Sequence, residues 1–510
     1  MAAGHRLTTE AGARILAEGG NAVDACVAAA FAAWVAESPL TGPGAGGFAL
    51  IHPADGRPPR LADFFVATPG RGRPPVPGAE MHAIDVGFGG DSETTQVFRI
   101  GEASCAVPGA TAGLAEVHSA YGRLPWRVVI EPAVELARQG VEVTRPQAHL
   151  HAILDLILRH TSEGRRLYSR PDGGRLQPGD LLRLPDLAGT LERISEEGPD
   201  LLYRGELADA IVETVAEGGG TLTRQDLEDY EVVWREPVRV PYLGHEVVSN
   251  PPPSSGGLLI AYGLALLERV GAGDVGSAEA IAALAEVMRE QTRARAGELD
   301  ADRLLSDGAL AEAAGRVSAS LAGRPETGPV SGTTHVSAID GDGNAASLSS
   351  STGSGSGIIV PGTGIHLNNM LGEYDLVAGG PAEPGRRLTS MMAPTVVLAD
   401  GRPRLVVGSA GSVRLRGAIM QVIVNVLGHG DGVAAAIDAP RVHVEDAHVH
   451  CEGGFDEAEL DLVEQWSQNL VRWRRRNLYF GGTNAVEVLP DGSLAAAGDA
   501  RRGGDGVVVG

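Results

Sequence analysis

The chain has 510 residues with 43% hydrophobic and only 4% aromatic content, so a globular body packed with small side chains is expected, as one large domain or several. A formal net charge of −23 argues against a general affinity for nucleic acid or anionic membranes, which need clustered cations, and a short run such as RWRRRN at 472–477 does not reverse it. Three widely spaced cysteines, Cys26, Cys105 and Cys451, support neither a disulfide framework nor a four-thiolate zinc site.

In chain order, TTEAGARILAEGGNAVDACVAAAFAAWVAE at 8–37 has helical periodicity broken at Gly19 and Gly20, which predicts two helices, the second Ala-rich and buried. The N-terminal stretch lacks a basic region followed by an apolar one, and no window reaches the roughly 18 apolar residues of a membrane span, so a cytoplasmic location is expected. GPGAGGFALIHPADG reads as a Gly-rich loop entering an apolar strand. A dinucleotide fingerprint needs the reverse order, strand before loop. Residues 70–95, rich in Gly and Pro, read as a surface loop, and 110–140 as helix stopped by Gly140.

Between 145 and 232 apolar residues at spacings of three and four predict mostly helix. REPVRVPYLGHEVVSN then reads as strand and turn, NPPPSSGG at 250–257 as a rigid turn, LLIAYGLALLERV as a buried helix and 277–323 as a charged helical segment. A polar linker at 324–332 leads into TTHVSAID and, after the turn GDGN, a second strand. A second linker, GGPAEPGRR, occupies 379–387, and strands and helices alternate thereafter.

The chemistry centres on SGTTHVS. A threonine hydroxyl within a chain lacks a base, but an N-terminal threonine carries its own in the α-amine, of reference pKa about 7.7–8.0. Gly332 supplies the freedom for a cut before Thr333, although β-branched residues opening a strand would look the same. His335 shares a strand face with Thr333, as a tuning group or as a satisfied structural histidine. APRVHVEDAHVHCEGG gathers His443, Glu445, Asp446, His448, His450 and Cys451. An HxH pair on a strand can bind metal, but an exposed charged strand pair is the preferred reading, and no metal or other cofactor is expected.

GTTHVSAIDGDGNAASLSSS, followed in order by GTGIHLNNMLGEYD, RRLTSMMAPTVVL and VVGSAGSVR, resembles the γ-glutamyltranspeptidase family of N-terminal-nucleophile hydrolases. EGGNAVDACVAAAFAAWVAESPLTGPGAGGFALI, VPGATAGLAEVHSAYGRLPW and NPPPSSGGLLIAYGLALLE extend the likeness over nearly the whole chain. The resemblance implies an α+β, four-layer αββα sandwich cut between Gly332 and Thr333 into a large piece, 1–332, and a small one, 333–510, that stay together. It further implies Thr333 as the nucleophile, Gly411 and Ser412 as oxyanion donors, Glu373 as the acid holding a substrate amine, and Ser390 and Met391 at the family's serine pair.

The chain also departs from that pattern. Phe65, in LADFFVATP, stands where the family's arginine binds the glutamate carboxylate; Ser351 and Gly353 stand at the family's Thr-x-Asn pair, with Thr352 as an alternative to Ser351; and Ser412 replaces a glycine. The expectation is a hydrolase or acyltransferase acting on a small amide or amino-acid-derived substrate with altered recognition. The alternatives are a specialised-metabolite hydrolase of the kind in 4-alkylproline pathways, cleaving a C–C or non-glutamyl amide bond, or an unprocessed binding relative.

Overall fold

The computed structural model describes all residues except 73–79, 88–94, 298, 321–332, 378–382, 446–447 and 467–468. The predicted break at Gly19 and Gly20 separates the helices Arg6–Ala17 and Ala22–Ala36, with Gly19 at φ 92°. Asn21 starts the second helix with a reciprocal cap: its side chain accepts the Asp24 N–H and the Asp24 carboxylate accepts its own. Every residue of that helix is buried, which its many alanines allow: alanine faces let neighbouring elements approach closely.

Two large sheets dominate. The first orders its strands Asp505–Gly506, Ala2–Ala3, Thr334–Ile339, Ala345–Ser351, Gly46–His52, Arg60–Phe64 and Val233–Arg235. The second runs Leu494–Ala497, Gly482–Val488, Arg402–Ala410, Thr395–Ala399, His245–Ser249 and Val238–Tyr242. Thr334–Ile339 and Ala345–Ser351 pack against Arg402–Ala410, so the hairpin around the predicted GDGN turn touches the second sheet. Helix Ala22–Ala36 lies against that hairpin, and helices Gly256–Val270 and Leu415–Gly428 lie against strands of the second sheet. Both strands of the hairpin are buried along their whole length, and the polar residues of their alternating pattern are satisfied inside: His335 meets the Ser349 and Ser337 hydroxyls, and the Ser347 hydroxyl accepts the Thr395 N–H.

One sequence expectation changes here. Within 70–95, expected to be a loop, His82–Gly87 forms a strand paired with Thr95–Ile100. The alternation in HAIDVG, with Val86 buried between exposed neighbours, outweighed the glycine and proline around it. The charged segment after 277 is helical as expected, and its helix Ala278–Arg295 buries Glu286, Arg289 and Glu290. Each takes part in an ion pair: Glu286 with Arg289, and Glu290 with Arg316 at 2.9 Å. The linker at 324–332, with Gly332, lies outside the described residues, as does much of the second linker.

Candidate active site

Thr333 immediately precedes the strand Thr334–Ile339 and is buried. The next residue is fixed in the ladder, Thr334 opposite Ser350, so the position of Thr333 follows from the register of the hairpin. Around it a pocket is walled by the hydroxyl-bearing Thr333, Ser351, Ser390 and Ser412 and by Phe65, Met370, Leu376, Met391, Met392 and Leu415. Six of the residues singled out from the sequence, Thr333, Ser351, Phe65, Ser390, Met391 and Ser412, thus converge from segments up to 347 positions apart.

Phe65 follows the edge of the strand Arg60–Phe64. Its backbone is clamped: the N–H donates to Asp63 Oδ1 at 3.0 Å and the carbonyl accepts the Tyr230 hydroxyl at 2.8 Å. Its ring stacks on Phe48, centroids 5.4 Å apart. The neighbouring cations are committed elsewhere: Arg235 Nη2 meets Asp63 Oδ2 at 2.7 Å, and Arg387 donates to the Asp63 carbonyl while lying over the Tyr230 ring.

The turn Gly411–Ser412 follows the strand Arg402–Ala410. Gly411 has φ 123° and Ser412 φ 55°, so the serine keeps the left-handed backbone that a glycine would adopt freely, at a cost of about 1–2 kcal/mol. The turn is pinned from one side, where the Arg414 N–H donates to the Gly411 carbonyl at 3.2 Å and Arg414 Nε to the same oxygen at 3.3 Å.

Ser390 and Met391 are held by residues the sequence reading treated as a rigid turn. Ser255 donates to the Ser390 carbonyl from its N–H at 2.8 Å and from its hydroxyl at 3.0 Å; the Ser254 hydroxyl reaches the Ser390 and Met392 carbonyls at 3.0 and 3.1 Å. NPPPSSGG is a turn, and its serines are also buckles on the pocket wall. The only sequence signal was the pair of hydroxyls itself.

Ser351, and not Thr352, borders the pocket; its hydroxyl accepts the Gly353 N–H at 2.8 Å. Gly353, at φ 72°, leaves room that other groups use: Asn369 Oδ1 and Glu373 Oε1 accept the Ser354 N–H at 2.9 and 3.2 Å, and a side chain on Gly353 would run into both. Glu373 is buried and, like Gly411, is not among the residues lining the Thr333 pocket.

His335 resolves as structural. Its ring nitrogens lie 2.8 Å from the Ser349 hydroxyl and 2.9 Å from that of Ser337, it packs on Gly408, and burial pushes its pKa down to about 3. His443 faces His450 across a strand pair and both are buried, contrary to the exposed reading; Trp473 Nε1 donates to His450 Nδ1 at 3.2 Å. Among the described residues no group of three His, Cys, Asp or Glu side chains is arranged to hold a metal, and Asp446 lies outside them. Among those residues, too, no helix is long and apolar enough to cross a membrane.

The profile of the family described as gamma-glutamyltranspeptidase matches residues 8–509. The chain belongs to the gamma-glutamyltranspeptidase family. Within that family it is similar to the acylase ACY 1 proenzyme of Pseudomonas sp. (strain SE83), 34% identical over 99% of this chain and 92% of the relative. It is also similar to the glutathione hydrolase proenzyme of Escherichia coli (strain K12), 32% identical over 97% of this chain and 88% of the relative. In structure it matches the cephalosporin acylase from Bacillus halodurans, with a TM-score of 0.85 and 26% identity over 99% of this chain and 95% of that one. Its relatives bear the names of hydrolases and acylases, which supports hydrolase activity in this gamma-glutamyltranspeptidase-like chain.

Proposed function

We propose that the protein is a self-processing amide hydrolase of the acylase type, with Thr333 as nucleophile and an acyl donor that is apolar where a γ-glutamyl donor carries its α-carboxylate. The observation that carries this is Phe65 in the pocket wall with Thr333, beside Met370, Met391 and Met392, its neighbouring arginines tied to Asp63. A substrate carboxylate buried against that ring would go unpaired, at about 3–5 kcal/mol, enough to exclude a glutamyl group. The acylase names among its relatives lend support.

Maturation comes first in this scheme. Thr333 Oγ attacks the Gly332 carbonyl carbon, the C–N bond breaks, the hydroxyl proton passes to the departing nitrogen, and water hydrolyses the ester to a Gly332 carboxylate and a free Thr333 amine. Pieces 1–332 and 333–510 stay joined as a four-layer αββα sandwich. In turnover the α-amine takes the Thr333 hydroxyl proton, the oxygen attacks the substrate carbonyl, and the backbone N–H groups of Gly411 and Ser412 receive the developing oxyanion. The amine product leaves with that proton, and water, activated by the same amine, releases the acid. Ser351 and Ser390 offer hydroxyls around the reacting carbonyl.

Denaturing gel electrophoresis tests the first step: wild type gives two pieces, Thr333→Ala one band at 52.7 kDa. A panel of p-nitroanilides tests the second, with aliphatic acyl groups of four to eight carbons turned over and the γ-glutamyl compound at least a hundredfold slower. A cut enzyme preferring the γ-glutamyl anilide overturns the apolar reading.

A further inference from the structure

Thr333 also borders a second cavity whose lining shares no other residue with the acyl pocket; Glu37 and Thr334 lie on it. Glu37 ends the helix Ala22–Ala36 and its backbone is locked there, its N–H on the Ala33 carbonyl and its own carbonyl accepting the Leu40 N–H, both at 2.8 Å. Both carboxylate oxygens accept hydroxyl hydrogens, Oε1 from Thr8 at 2.8 Å and Oε2 from Thr334 at 2.5 Å. Gly4 leaves the space for this: any side chain there would strike Oε2. A buried acid is thus held on Thr334, the second residue after the proposed cut.

The groups facing it favour its charge. Arg502 lines the same cavity, and burial lowers its guanidinium to about 10, which still leaves it cationic at neutral pH. His5 and His151, each pushed down to about 4 by burial, are neutral there. Asp499 is neutralised by Arg441 at 2.7 Å and Arg501 at 3.2 Å, and Arg501 also pairs with Glu452 at 2.6 Å. Burial wins on balance and holds the Glu37 carboxyl above its ordinary value; the hydroxyls of Thr334 and Thr8, and then Arg502, oppose it in part.

We propose that Glu37 is a positioning residue for Thr333, acting through the Thr334 hydroxyl to align Thr333 for the cut and then, as a carboxylate, making the freed α-amine a stronger base. This rests on the reading of Thr333 as nucleophile. A negative charge at one residue's distance favours the ammonium form, so removing it lowers the pH at which the amine becomes free.

The test uses the full chain and needs no substrate. Cutting is followed on gels, and the Thr333 amine is titrated by its rate of carbamylation with cyanate across pH, read by mass spectrometry of the small piece's first peptide. Glu37→Gln keeps the shape but removes the charge. The expected result is cutting at least tenfold slower, with the carbamylation midpoint about one pH unit below wild type. An unmoved midpoint, whatever the cutting rate, overturns the proposal and leaves Glu37 a packing residue. Should Glu37→Gln yield no folded protein, Thr334→Val decides: slow cutting restored by Thr334→Ser supports the proposal, and wild-type cutting overturns it. An uncut wild type, or a cut Thr333→Ala, would instead sink the nucleophile reading itself.

Discussion

Phe65 stacks on Phe48 with ring planes 20° apart, and both rings are buried. The acyl pocket is therefore walled by an aromatic pair rooted in the first sheet, since Phe48 lies in the strand Gly46–His52. Replacing Phe65 by arginine exchanges that wall for a fork that can bind a carboxylate. Phe65→Arg is expected to shift the ratio of γ-glutamyl to aliphatic acyl anilide turnover by at least about tenfold, ~1.4 kcal/mol, in favour of glutamyl. An unchanged ratio in a folded, cut variant would remove Phe65 from specificity.

Ser412 is strained at φ 55°, and the scheme uses its backbone N–H, not its side chain. Ser412→Gly should keep kcat within about threefold of wild type and hold or raise the melting temperature, the relieved strain of about 1 kcal/mol offsetting glycine's added chain entropy. Ser412→Pro, which both lacks the N–H and cannot adopt φ 55°, should lose about a hundredfold or more in kcat. Equal activity in the two variants would move the oxyanion site elsewhere.

Ser254 and Ser255 hold the carbonyls behind Ser390 and Met391. Removing both hydroxyls takes hydrogen bonds worth about 1 kcal/mol each from these buried carbonyls, leaving the Ser255 N–H on that of Ser390 and Asn250 Nδ2 on that of Met392. The double change to alanine should lower kcat/KM about tenfold or more with secondary structure intact by circular dichroism, whereas a purely mechanical turn would show lost stability with unchanged kinetics.

Gly353 marks a rearrangement, not a simple loss. Restoring the family's asparagine there meets a left-handed φ of 72° and the side chains of Asn369 and Glu373. Gly353→Asn is expected to cost about 1–3 kcal/mol in chemical denaturation and to bring no gain in turnover.

Acid should unfold the protein through its histidines. Burial lowers His335 to about 3 and His366 and His151 to about 4, so the unfolded chain, with histidine near 6.5, binds protons that the fold refuses. Stability contributed by these neutral rings is full above pH 6.5 and is lost as pH falls from there toward 4, at up to ~1.4 kcal/mol per pH unit for each ring. Urea midpoints at pH 7 and 5 measure this, and His335→Gln should flatten the slope.

The sequence reading reached the pocket because the family's motifs sit on strand ends and turns, where local pattern and chemistry coincide: Thr333 before its strand, Ser412 after another. Glu37 escaped it, because nothing in AAWVAESPL reveals a carboxylate that meets Thr334 across 297 positions. Glu373 was legible as an acid but not as one turned onto Ser354, since that depends on the space left by Gly353. Long-range proximity and vacant volume are properties of packing, and a local pattern does not encode them.

The first sheet interleaves strands from both sides of residue 333: Thr334–Ile339 lies between Ala2–Ala3 and Ala345–Ser351, which in turn pairs with Gly46–His52. A chain cut before Thr333 would be two polypeptides woven through one hydrogen-bonded fabric, inseparable by dilution because parting them means tearing the sheet. Refolding would change order at the cut, from unimolecular to a search for a partner at cellular concentration. The mature protein would then owe its lifetime to the height of its unfolding barrier and not to any capacity to recover once unfolded.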